Sequence, residues 1–597
     1  MCGISGFAGF EDKKLLKRMC DVISHRGPDD HGYFFDKKIS LGNRRLSIID
    51  VKGGRQPIHN EDESVCIVFN GEIYNYLELR EFLEKRKHRF KTDSDTETIV
   101  HLYEELGESS VDRLRGMFAF AIWDSRKKKL ILVRDRLGIK PLYYAKIGEK
   151  LLFGSEIKSI LQYEGVERKV VMDSLYKFVK YRYVPGNKTM FDGIYKLLPG
   201  QMLTYREGKV KLERYWEPSM RNSADKPEDY YIKKFRRLLQ DSVEERLMSE
   251  VPLGAYLSGG LDSSAIVALM SRMMEEPVKT FSVGFGEESD ECGYARIVAE
   301  KFNTEHKEFI IEKKKMTEAL PEIVWHLDEP LGDPAVFPMW LTSNLVKKKA
   351  TVALLGEGAD ELQAGYRDYR ILSNKLFFIP SSLKKKIFNW FRSPVSMKDM
   401  RGLVTDGSSH TRKRGRFYYR FDTSAGNTLN QSLLFDLKYV LPNFQLMKVD
   451  KTTMGNSVEA RVPFLDHNFV EFVNSIPTEY KLNGFEGKYI LRKTMSGVLP
   501  KVVMGRKKQP FTTPIPSWFD ESLEEFAKQV LLDKKTAKRN QFSPDYVKRL
   551  FRKRKKATRK GKYNYQIWML LMVEMWNRIF IDRDDVYKSK LELNVFT

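Results

Sequence analysis

The stretch Tyr256-Leu257-Ser258-Gly259-Gly260-Leu261-Asp262-Ser263-Ser264 lies between a helical pattern that ends near Met248 and the apolar run Ala265-Ile266-Val267-Ala268-Leu269-Met270. Residues 255–257 read as a buried strand, and Gly259 with Gly260 permits a tight turn and a close approach to a ligand. Ser263-Ser264 then opens a helix whose unpaired N–H groups face an anion. Strand, glycine turn and helix start, in that order, make a phosphate cradle. No G-x-x-x-x-G-K-[ST] occurs, so the cradle is not of the Walker kind. The bland alternative is an ordinary strand-turn-helix junction with a capping serine.

From Asp229 onward helical patterns alternate with short apolar segments: a helix to Met248, a strand over 255–257, a helix over 264–274, a strand over 279–283, a helix over 294–302 and a strand over 350–355. This alternation predicts βαβ units and a parallel sheet with ligands at the strand C-terminal ends. The cradle, Ser282-Val283-Gly284-Phe285 and Leu355-Gly356-Glu357-Gly358-Ala359-Asp360-Glu361 all fall at such ends.

The first 163 residues read differently, as strands over 3–10, 39–49, 65–70, 117–123 and 129–134, with charged helices over 77–87 and 95–106 between them. At 597 residues the chain exceeds one core, and two domains are expected. The segments 181–185 and 193–200 between them are aromatic and turn-rich, which predicts a packed junction; residues 221–227 read as the flexible surface segment.

Four cysteines, Cys2, Cys20, Cys66 and Cys292, show neither C-x-x-C nor metal-ligand spacing. Cys2 becomes the first residue if Met1 is removed, and its own α-amine can then serve as the base for its thiol. No apolar run reaches the length of a membrane span, and the N-terminus lacks a basic n-region, so a cytoplasmic protein without membrane contact is expected. The formal charge of +23 raises a nucleic-acid partner. Its excess sits in residues 384–414 and 548–562, with no RNA-binding motif or aromatic platform, and reads better as solvated insertions.

Ser258-Gly259-Gly260-Leu261-Asp262-Ser263-Ser264 resembles the PP-loop of ATP pyrophosphatases, which cleave ATP to AMP and pyrophosphate. The N-terminal half resembles the class II glutamine amidotransferases, N-terminal-nucleophile hydrolases, through Met1-Cys2-Gly3-Ile4, Arg26-Gly27-Pro28-Asp29-Asp30, Arg45-Leu46-Ser47-Ile48, Asn70-Gly71-Glu72-Ile73-Tyr74-Asn75 and Ser94-Asp95-Thr96-Glu97. Together with Val458-Glu459-Ala460-Arg461-Val462-Pro463-Phe464-Leu465-Asp466, the chain resembles the glutamine-hydrolysing asparagine synthetase family nearly end to end.

The resemblance implies an α/β protein: an αββα glutaminase unit with its junction over 2–200, then a parallel-sheet PP-loop unit over 201–597. It implies Cys2 as nucleophile, with Asn70 and Gly71 as oxyanion donors. Glutamine would be bound by Arg45, Leu46, Ser47, Ile48, Ile49, Glu72 and Asp95. ATP would lie against Leu257, Ser258, Gly259, Gly260, Asp262, Ser263, Ser264, Val283, Leu355 and Gly356, with Mg²⁺ on Asp262 and Asp360. Glu357 would position or deprotonate ammonia, and Lys488 would stabilise departing pyrophosphate.

Three departures bear on the acceptor: Leu355 replaces a common serine, Leu362-Gln363-Ala364-Gly365-Tyr366 replaces L-F-G-G-Y, and Pro510 stands where K-x-G-F has glycine. Asparagine synthesis leads; amidation of another carboxylate such as a sugar acid, and PP-loop tRNA modification, are the rivals. A homodimer stays open.

Overall fold

The computed structural model describes residues 2–220, 226–286, 290–312, 315–376, 378–393, 395–405, 421–506, 519, 521–557 and 561–584. Twelve strands come first: β1 (Cys2–Ala8), β2 (Asp30–Asp36), β3 (Ile39–Arg45), β4 (Ile58–His59), β5 (Val65–Ile73), β6 (Gly116–Asp124), β7 (Lys129–Arg134), β8 (Tyr143–Ile147), β9 (Lys150–Gly154), β10 (Ile194–Lys196), β11 (Gln201–Arg206) and β12 (Lys209–Arg214). They form two antiparallel sheets, ordered β10-β8-β9-β1-β3-β2 and β12-β11-β7-β6-β5-β4.

Strand alternation sorts each sheet's side chains. Ile4, Ile39 and Leu41 of the first sheet meet Val68, Ala119 and Leu132 of the second in one core. On the outer faces, Ile67, Phe69 and Phe120 pack under the helices Tyr76–Glu84 and Asp95–Leu106, while Phe7 packs with Leu15, Leu16 and Met19 of the helix Lys13–Asp21. The result is the expected helix-sheet-sheet-helix layering. Because β11 pairs with both β7 and β12, the first unit runs to Arg214, past the boundary at residue 200 read from the sequence.

The second unit carries a parallel sheet, β15-β14-β13-β16-β17, built from β13 (Leu253–Tyr256), β14 (Lys279–Gly284), β15 (Glu305–Ile310), β16 (Val352–Leu354) and β17 (Glu459–Arg461). The cradle follows the central strand. Two sequence boundaries need correction. The strand read over 39–49 stops at Arg45, because the next residues fold back over its guanidinium. The helix read from Ser264 begins at Leu261, which places Asp262 and Ser263 in its first turn.

The junction is packed, as expected: Tyr181, Tyr183, Val184 and Phe191 are buried with Leu327, Phe337 and Phe444. Most described basic residues of the two charged segments are exposed or half-buried, as expected of solvated faces, but two are structural. Lys384 is buried and donates to the Ser373 carbonyl at 3.0 Å, and Arg554 pairs with Glu524 and Asn564 inside the helical C-terminal layer. Residues 221–225, 394, 406–414, 508–511 and 558–560, which belong to segments read above, lie outside the described residues.

Candidate active sites

Cys2 opens β1, which lies between β3 and β9, and the register sets it directly across from Arg45. Its N–H donates to Asn70 Oδ1 at 3.1 Å. That bond orients the Asn70 amide, whose buried Nδ2 has no hydrogen-bond partner among the described residues and is therefore a donor ready for an oxyanion. Gly71 follows because any Cβ there would come within 2.1 Å of the Met117 carbonyl on β6. Burial pushes the Cys2 thiol up, against the Leu46 N–H and Arg45.

Arg45 donates to the carbonyls of Ile49 (3.1 Å), Asp50 (2.7 Å) and Val51 (3.2 Å). These bonds hold the Leu46, Ser47, Ile48 and Ile49 loop against Cys2, and Asp29 Oδ2 fixes the same loop by accepting from the Ser47 N–H at 2.8 Å. Arg45 is thus first a brace for the loop.

Asp95 starts its helix behind the cap of Ser94 and accepts from the Ile73 N–H at 2.9 Å. Burial pushes its carboxyl up to about 6, against the Ile73 bond and helped by Glu459. Glu72, two residues beyond Asn70, is raised well above the usual carboxylate range by burial and then by the charges of Glu459 and Asp95. Its Oε2 has no hydrogen-bond partner among the described residues. Two crowded, buried carboxyl groups near the chain start suit a cationic ligand group such as an α-ammonium.

The second site is a cleft of about 1430 Å³ lined by Leu257, Ser258, Gly260, Asp262, Ser263, Val283, Leu355, Gly356, Glu357, Asp360 and Lys488. Gly259 has φ 64°, and a Cβ there would lie 2.5 Å from the Ala295 nitrogen, so both turn and packing demand glycine. Ser263 Oγ accepts from the Ser258 N–H at 3.2 Å, and Ser258 Oγ accepts from the Gly260 N–H at 3.3 Å, which rigidifies the loop. Ser264 is fully buried beneath it.

Lys488 Nζ bridges Asp262 Oδ2 (2.6 Å) and Asp360 Oδ1 (2.5 Å). The resemblance paired Asp262 with Asp360 and gave Lys488 a separate role; the fold gathers all three. The lysine stands as a cation between two hard oxygen donors, so the donor set suits Mg²⁺ and Lys488 is placed to pass to phosphate. Gly365 permits this, because a Cβ there would meet Asp360 Oδ1 at 1.9 Å and Lys488 Cε at 2.2 Å. Beside it Ala364 takes φ 53°, a conformation glycine adopts more cheaply, and Gln363 is fully buried. Tyr366 donates to Glu361 at 2.6 Å; burial and then Asp360 push the Glu361 carboxyl up to about 8.

Sequence reasoning assigned no role to the groups that join the two sites. Arg26 is fully buried, donating to the Cys2 carbonyl (3.3 Å), to Glu156 (3.0 Å) and to Asp450 of the second unit (2.8 Å). Arg461 pairs with Glu459 at 2.6 Å, caps the Arg246 carbonyl at 2.8 Å and reaches Glu72 at 3.8 Å. A signal was present: Glu459 and Arg461 are two apart in an apolar strand, hence on one face. Around these charges, Leu46, Ile48, Met117, Leu137 and Ile139 of the first unit share one apolar cluster with Leu257, Leu355, Ala359 and Val462 of the second.

An amidotransferase of the N-terminal-nucleophile kind, joined to a PP-loop nucleotide-binding unit, is the class that this fold and these sites define. The family model described as asparagine synthase matches residues 234–578, and that of the glutamine amidotransferase domain matches residues 1–216. Asparagine synthetase [glutamine-hydrolyzing] 1 of Bacillus subtilis is 36% identical, covering 98% of this chain and 97% of its own. Asparagine synthetase [glutamine-hydrolyzing] 3 of the same organism is 32% identical, covering 89% and 90%. A solved glutamine phosphoribosylpyrophosphate amidotransferase from B. subtilis is similar at 16% identity and TM-score 0.28, over 53% of this chain and 70% of its own. The chain belongs to the glutamine-hydrolysing asparagine synthetase family.

Proposed function

We propose that the protein makes asparagine from aspartate, with glutamine as nitrogen donor and ATP as the activating substrate. Cys2 attacks the glutamine amide, the Asn70 amide and the Gly71 N–H stabilise the oxyanion, and Glu72 with Asp95 takes the α-ammonium. The remaining donors of Arg45 and the Leu46–Ser47–Ile48–Ile49 loop receive the α-carboxylate.

In the second cleft, adenosine lies against Leu257 and Val283, and the adenylate against Leu355 and Gly356. The triphosphate sits on Ser258, Gly259, Gly260, Ser263 and Ser264, at the N-terminus of the helix Leu261–Met273. Asp262 and Asp360 would hold Mg²⁺, which would supply neutralisation of charge on the phosphates. The aspartate side-chain carboxylate displaces pyrophosphate, with Lys488 balancing the leaving charge. Ammonia, positioned by Glu357, then displaces AMP.

The observation that carries this reading is the single apolar cluster containing side chains from both sites. An uncharged ammonia molecule can move along such a lining, while the charges of Arg26, Glu156, Asp450 and Arg461 lock the units around it. That apolar lining is flanked by buried ion pairs.

Incubating the purified protein with ATP, glutamine and a panel of carboxylates tests the reading. Asparagine and AMP should form in equal amounts with aspartate alone. Turnover on another acid but not on aspartate would transfer the mechanism to that acceptor, for which Leu355, Gln363 and Ala364 are the residues to examine. A soluble homodimer is compatible with this chemistry, and sedimentation of the purified protein decides it.

A further inference from the structure

Outside the residues assigned to either site, three segments of the first unit converge: the turn before β5, which carries Glu61, the loop after the helix Tyr76–Glu84, which carries His88, and the helix Asp95–Leu106, which carries His101 and Glu104. One ligand atom from each of these four residues lies within 4.8 Å of all the others. His88 Nδ1 is 3.3 Å from Glu61 Oε1 and 3.9 Å from Glu104 Oε2, and His101 Nδ1 is 3.3 Å from Glu61 Oε2. Four ligands at about 2.0–2.2 Å from a tetrahedral metal would stand about 3.3–3.6 Å from one another. Two of the contacts, both to Glu61 at 3.3 Å, have that spacing before any ion enters, and the remaining separations, at up to 4.8 Å, would have to tighten.

The outer contacts point the same way. His88 Nε2 lies 3.0 Å from Glu105 Oε1 and His101 Nε2 lies 3.4 Å from Glu97 Oε1, so each ring has a carboxylate on the nitrogen that faces away from the cluster. Such partners fix the tautomer that leaves the other nitrogen a lone pair, as in metal-bound imidazoles. Glu97 is itself held by the N–H groups of Lys91 (2.8 Å) and Thr92 (2.7 Å). Independently of those contacts, His101 is fully buried, and its Nδ1, aimed at the cluster, has no hydrogen-bond partner among the described residues. A buried lone pair facing a carboxylate is a cost that a cation removes.

We propose that Glu61, His88, His101 and Glu104 form a structural site for one divalent transition-metal ion. Two imidazoles and two carboxylates favour Zn²⁺ over Mg²⁺ or Ca²⁺, which take oxygen ligands at higher coordination. The ion staples the two loops to the helix that presents Asp95.

The test uses the full chain, stripped with chelator and then titrated with Zn²⁺ alone by calorimetry and by thermal unfolding. Tight binding is expected to raise the melting midpoint. Glu104 is exposed, so Glu104→Gln should leave the fold intact, as ammonium-dependent synthesis would confirm. It should reduce the Zn²⁺ stoichiometry by one and abolish the midpoint shift, and His88→Gln should do the same. Co²⁺ as a probe should give the visible absorption of a tetrahedral complex in the wild type and lose it in Glu104→Gln. Zn²⁺ stoichiometry and stabilisation unchanged in Glu104→Gln, or no saturable binding in the wild type, overturns the proposal.

Discussion

Arg461, on the edge strand of the nucleotide-binding sheet, lies 3.8 Å from Glu72, which stands two residues beyond Asn70 on β5 of the glutaminase unit. Both side chains are buried, and Glu459 completes the set at 2.6 Å from the guanidinium. The carboxylate proposed to receive the glutamine ammonium is therefore electrostatically joined to the synthetase sheet.

Arg461→Met removes the guanidinium that pairs with Glu459 at 2.6 Å and faces Glu72 at 3.8 Å, and so takes away one partner of a buried ion pair. Losing one partner of a buried pair costs about 3–5 kcal/mol. The denaturant midpoint should fall accordingly, and the KM for glutamine should rise because Glu72 is left more protonated. An unchanged midpoint in chemical unfolding would show that the pair contributes nothing.

Asp262→Asn should lower ATP-dependent synthesis from either nitrogen source by more than about a hundredfold, beyond the loss typical of an outer-shell metal partner. A neutral amide is a poor ligand for a hard cation, and Lys488 loses one of its two carboxylates. Glutamine hydrolysis should remain measurable. AMP and glutamate release, assayed separately, distinguish these outcomes.

Cys2→Ala should abolish glutamine-dependent synthesis, by at least about 10³-fold, and preserve synthesis from added ammonium. The Arg26 bond to the Cys2 carbonyl uses the backbone, so the link to Asp450 survives the substitution. Product formation with each nitrogen source is the readout. Loss of the ammonium reaction in a folded variant would mean that the sites cannot be separated in this way.

The Asp95 carboxyl, held up to about 6, should set an acid limb on glutamine hydrolysis. Below that pH it is neutral and cannot pair with the substrate ammonium, so kcat/KM should fall about tenfold per pH unit. The stability sign is opposite. The folded carboxyl binds a proton more readily than an unfolded one, at about 3.9, so between these values this residue's contribution to stability rises as pH falls. A flat kcat/KM profile from pH 7 to 5 would exclude the assignment.

The cradle was legible because its sequence is local: a strand, two glycines and a helix start occupy nine consecutive residues, and φ 64° at Gly259 is what a glycine there announces. The N-terminal motifs were legible for the same reason, as were β7 and the helix Asp95–Leu106, whose bounds came out as read. The exclusions drawn from cysteine spacing hold only for spacing along the chain; Glu61, His88, His101 and Glu104 meet through folding.

By itself the sequence singled out the groups proposed to carry the chemistry, since the cysteine, amide, carboxylates and lysine each sit in a short motif of fixed spacing. Tertiary structure alone decided how they meet. Lys488 lies 226 residues from Asp262, Arg26 lies 424 from Asp450, and no periodicity records such pairings. Buried charge must be compensated wherever the fold brings a partner, so the joints between the two units became visible only once both sheets were packed.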